Sequence, residues 1–123
     1  MRIDPSHGCA MISALRGTHQ RGPWLHLLSE VLQLAGPRVE FLRHSERPWA
    51  SATFSGSRHE IALAFTGMNA VEDGERFIAA LPDHEFAVPR QLVADATVAS
   101  AGHETIPQPR LTVEVELLLL EDL

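Results

Sequence analysis

Apolar residues recur at helical spacing in two stretches of the chain. In the first, Trp24, Leu28, Val31, Leu32 and Ala35 form one stripe, while His26, Ser29, Glu30 and Gln33 point elsewhere. Gly22 suits a cap, Pro23 the first helical position and Gly36-Pro37 a stop, so a helix is predicted over 24–35. In the second, Val71, Gly74, Phe77, Ile78 and Leu81 form the stripe and Pro82 closes it, predicting a helix over 70–81. Asn69 and Glu72 have the spacing of a capping box. Gly74 weakens this helix slightly, and its missing side chain lets the helix approach a sheet closely.

Elsewhere the spacing changes to that of strands. Leu111, Val113, Val115 and Leu117 alternate with Thr112, Glu114 and Glu116, the pattern of a strand with one buried and one wet face over 110–120. Strands are also predicted over 39–44 and 49–55, antiparallel across a hairpin loop at Ser45-Glu46-Arg47-Pro48. A turn near Gly56-Ser57 then leads to a strand over 59–65, and a proline-rich loop spans 105–109. At Leu117-Leu118-Leu119-Leu120 the alternation fails, and a strand apolar on both sides needs cover from the helices or a second copy.

The segment 50–60 recurs at 94–104 with Ala50, Ala52, Thr53, His59 and Glu60 answered by Ala94, Ala96, Thr97, His103 and Glu104. A period of this length calls for a duplicated architecture. The reading is two strand, helix, strand, strand units, approximately 9–56 and 59–100, followed by the final strand 110–120. That gives a single α+β domain over 1–123, with an antiparallel sheet and two helices. The layout is similar in outline to the small-molecule-binding GyrI-like domains and, more loosely, to the paired modules of glyoxalase-type metalloenzymes. No residue motif of either family is matched, and no site residue follows from the resemblance.

Ala50, Ala52, Ala94 and Ala96 are expected on the core face of the repeated strand, with Ser51, Thr53, Asp95 and Thr97 opposite. Such small residues imply either close helix packing, the commoner outcome, or a cavity for a small apolar ligand rimmed by Trp24, Trp49, Phe54 and Phe65.

Composition mainly excludes. The net charge is -6, and the ten basic residues are arginines without a run, which argues against nucleic-acid binding. Without lysine there is no Schiff-base or P-loop chemistry, and without tyrosine no phenolic acid or base. The single cysteine, Cys9, excludes an intramolecular disulfide and multi-cysteine metal sites. No stretch is apolar enough to span a bilayer and no signal-peptide pattern opens the chain, so a cytoplasmic location is expected.

Histidine with carboxylate is the chemistry that remains. His-Glu occurs at His59-Glu60, His84-Glu85 and His103-Glu104, and the duplication places His59 and His103 at equivalent sites, with His7 as a third candidate. Adjacent strand residues face opposite ways, however, and neither His-x-His nor His-Glu-x-x-His spacing is present. Neither a metal site nor a cofactor is therefore expected. The leading expectation is a ligand- or partner-binding module that forms a homodimer and contacts neither nucleic acid nor membrane. The alternatives are a metal-dependent or acid-base enzyme using His59, Glu60, His103 and Glu104, and a structural oligomer subunit.

Overall fold

The computed structural model describes residues 22–121; the predicted opening strand, His7 and Cys9 lie outside them. The elements are α1 (Gly22–Ala35), β1 (Val39–Ala50), β2 (Ser55–Thr66), α2 (Met68–Ala80), a short 3-10 helix (Leu81–Asp83), β3 (Gln91–Glu104) and β4 (Arg110–Glu121). The four strands form one antiparallel sheet in the order β1-β2-β4-β3. The fold is thus α+β, as expected, and the order helix, strand, strand runs through it twice. Neither described helix is long and apolar enough to cross a membrane.

Both helical stripes are buried against the sheet. From α1 come Trp24, Leu28, Val31 and Ala35, from α2 Val71 and Phe77, and from β4 Leu111, Val113, Val115, Leu117 and Leu119. Gly36 ends α1 at φ 98°, a conformation that costs glycine little, and its N–H donates to the Leu32 carbonyl. On the inner face of α2, a Cβ at Gly74 would lie 2.7 Å from Phe65 Cδ2 and from Leu111 Cδ2, so the missing side chain does permit the close approach. The carboxylate of Asp73, buried at the same level, accepts hydrogen bonds from Arg38 and Arg76.

Several local expectations need correction. Ser45 to Pro48 is no loop: β1 continues through it to Ala50, and the turn falls at 51–54. Pro48 is tolerated because β1 is, among the described residues, an edge strand, where a missing N–H need not break a ladder. Ser51 organises that turn, its Oγ accepting from the backbone N–H groups of Thr53 and Phe54. The capping box does not form: α2 starts at Met68, so its N-cap is Gly67, which has no side chain to cap the helix, and Asn69 falls inside the first turn. Of the four alanines expected on the core face, Ala96 alone packs against the core, half-buried, whereas Ala50 and Ala52 are exposed at the turn and Ala94 is exposed. Of the echoed segments, 50–60 spans a turn and the start of β2, whereas 94–104 lies within β3.

Three bulges interrupt the register. Leu42 is the extra residue between the pairs Phe41 with Leu63 and Arg43 with Ala62; Ala94 and Ala99 are the corresponding extra residues in β3. The first of these positions the site described next.

Candidate functional site

Strand alternation carries Val39 and Phe41 to the helix side of β1. Continued without a break it would also place Arg43, Ser45 and Arg47 there. The bulge at Leu42 reverses the phase, so that His44 and Glu46 face the helices beside Ile61 and His59 of β2. His44 Nε2 lies 2.8 Å from His59 Nδ1, and His59 Nε2 lies 2.8 Å from Ser57 Oγ. The donor atoms of His44, Glu46 and His59 all fall within 4.8 Å of one another.

Trp24, in the first turn of α1, covers the group. Its ring stacks on His44 with centroids 3.6 Å apart and an interplanar angle of 8°, and reaches over His59 at 6.1 Å. His59 is only 1% exposed. Its burial lowers the imidazole pKa below the ordinary 6.5, against the opposing pull of the Glu46 carboxylate. Beside the cluster opens a cleft of about 240 Å³, lined among others by Trp24, Glu46, Ser57, His59, Gln91 and Glu121.

The sequence candidates are dispersed. Glu60 turns to the opposite face of the sheet from His59, where Ser45 and Arg47 donate to it. His59 pairs with Leu117 and His103 with Leu111, six residues apart along β4, or about 20 Å. Glu104 pairs with Arg110 at the hairpin end. The aromatic residues are equally scattered. Trp24 lies over the histidines, Trp49 pairs with Gly56 near the end of β1, Phe54 is exposed in the turn, and Phe65 is buried at the far end of β2 beside Phe77. His44 and Glu46 were not singled out by sequence reasoning; their His-x-Glu spacing, two residues apart on one strand face, was the available signal.

A second feature lies at the extremities. Phe54 (52% exposed) and Leu92 (60%) sit at the end of the sheet bearing the β1–β2 turn, and Met68 (70%) and Ile106 (83%) at the other. The latter two segments are held together by Gly67 N–H, which donates to the Pro109 carbonyl. Over twelve residues of β2 the two ends stand about 40 Å apart.

No protein-family model matches the chain, and no curated protein matches its sequence. Among solved structures, the fold is similar to that of a chain in the virion of a native gene transfer agent particle, with a TM-score of 0.53 and 14% identity. The similarity covers 87% of this chain and 98% of that one. A likeness at this identity shows the fold.

Proposed function

We propose that this chain is a structural subunit of a multi-copy particle, assembling by contact between the two ends of its sheet. The carrying observation is the exposed apolar pair at each end, Phe54 with Leu92 and Met68 with Ile106. The ends differ, so a head-to-tail contact covers both at once, whereas a twofold contact at either end leaves the other bare. The fold neighbour, a chain of a virion particle, supports the same reading.

A homodimer is the second reading. It is favoured by the exposed Leu92 and the half-buried Trp49, which fall in one cross-strand row with Gly56 and the buried Leu120 on the face turned away from α1 and α2. A small-ligand role would use the cleft under Trp24, whose polar lining suits a polar molecule better than an apolar one.

The test is sedimentation velocity over a concentration series with Phe54→Glu and Ile106→Glu. The wild type should form concentration-dependent multimers, and each variant alone should remain monomeric. A mixture of the two variants should form a one-to-one dimer, because one intact junction remains between an unaltered 54 end and an unaltered 106 end. A wild type monomeric throughout, or variants that multimerise normally, would sink the proposal.

A further inference from the structure

We propose that His44, Glu46 and His59 form a binding site for a divalent transition metal ion, zinc foremost. Two imidazoles and a carboxylate are a donor set suited to zinc, and three protein ligands leave a fourth position for water or a small ligand. The three residues come from two adjacent strands locked in register, and their donor atoms already lie within 4.8 Å of one another.

The geometry requires little rearrangement. His44 Nε2 and His59 Nδ1 face each other at 2.8 Å, a separation bridged by a single proton. A zinc ion in place of that proton, bonded to each nitrogen at about 2.0–2.1 Å in tetrahedral geometry, spreads them to about 3.3 Å. Opening by about half an ångström falls to His44, which is half-buried on the edge strand, while His59 stays fixed in the interior. Glu46 is exposed, so its carboxylate can swing inward.

The surroundings support ligation. Ser57 Oγ can accept the Nε2–H of His59, a hydrogen bond that leaves the Nδ1 lone pair directed at the metal position. Trp24, stacked on His44, holds the plane of the second ring. Two of the three ligands, Glu46 and His59, also line the adjoining cleft, together with Gln91 and Glu121.

The experiment uses the full chain stripped with a chelator and titrated with Zn²⁺ by calorimetry and with Co²⁺ by visible absorption. Expected are one ion per chain in the micromolar range or tighter, the intense d–d bands of tetrahedral Co²⁺, and quenching of tryptophan fluorescence by Co²⁺. His44→Gln and Glu46→Gln should lose stoichiometric binding, Ser57→Ala should weaken it about tenfold to a hundredfold, and His103→Gln should leave it unchanged. His59 is buried and its variant can fail to fold, so His44→Gln and Glu46→Gln, checked for folding by circular dichroism, decide the matter. Absence of stoichiometric binding by the wild type, or unchanged affinity in both of those variants, overturns the proposal.

Discussion

Replacing Gly74 with alanine tests whether the contact between α2 and the sheet is as close as the structure shows. The new methyl would stand 2.7 Å from Phe65 Cδ2 and from Leu111 Cδ2, and 2.8 Å from Phe65 Cγ. Carbon atoms pack best at about 3.5–4.0 Å, so about 1 Å must be found. Leu111 can turn its Cδ2 aside. Phe65 is fully buried, with the Phe77 ring centred 6.2 Å away, and has little room to retreat. Overpacking of this kind costs about 1–3 kcal/mol, and the confinement of Phe65 argues for the upper half of that range. Alanine returns about 1 kcal/mol through its better helix propensity. The net expectation is a loss of about 1–2 kcal/mol, a fall in Tm of about 4–8 °C for a domain of this size. Thermal and urea melts followed by far-UV circular dichroism measure it. Gly102→Ala serves as the control, because a Cβ there meets nothing within 4 Å. In a Leu111→Val background the Gly74→Ala penalty should shrink, since part of the obstruction is gone. A Gly74→Ala protein as stable as the wild type, or more so, would refute the packing argument.

Gly56→Ala should be more damaging than its position near a strand end suggests. Its Cβ would lie 1.9 Å from the Leu119 carbonyl oxygen, a backbone atom that no rotamer change can move. Loss of about two ladder hydrogen bonds, at about 1 kcal/mol each, should appear as a lower urea midpoint and faster amide exchange around Leu119 and Leu120. Stability of the chelator-treated protein should also fall with acidification. Burial holds the folded His59 pKa below its unfolded value near 6.5, so its contribution is complete above pH 6.5, declines as pH falls through that value, and levels off below the folded pKa. The groups facing His59 are His44, Glu46, Ser57 and Trp24, and a His59→Gln variant that folds should lack this part of the decline in Tm. An equal decline in that variant would assign the effect elsewhere.

The helices and β4 were legible because their signals are local. A stripe at helical spacing closed by Gly36-Pro37, or a strict alternation from Leu111 to Leu117, reports burial without knowledge of any distant partner. The second half of β1 was illegible for the opposite reason. It is an edge strand largely exposed on both faces, so Ser45-Glu46-Arg47-Pro48 carries the composition of a loop while holding the hydrogen-bond register of a strand. The cluster was half legible. His59 drew attention through its His-Glu dipeptide, but Glu60 points to the other face, and the actual companions are fixed by one unpaired residue, Leu42. Nothing in the apolar pattern marks a bulge there, and without it His44 and Glu46 belong to the wrong side of the sheet. His103 and Glu104 repeat the dipeptide in a strand whose end contributes nothing to the core.

Among the described residues, β3 is paired along one side, by β4, and its other side is a strand edge fourteen residues long. The extra residues at Ala94 and Ala99 divide that edge into short runs, of which 95–98 is a stretch of four in uninterrupted step. It behaves as a lock with two wards. A flat strand laid along this edge would keep step with one run and fall out of phase at the next, which disfavours indiscriminate stacking. A strand cut with matching irregularities is the shape that would keep step along the whole of it.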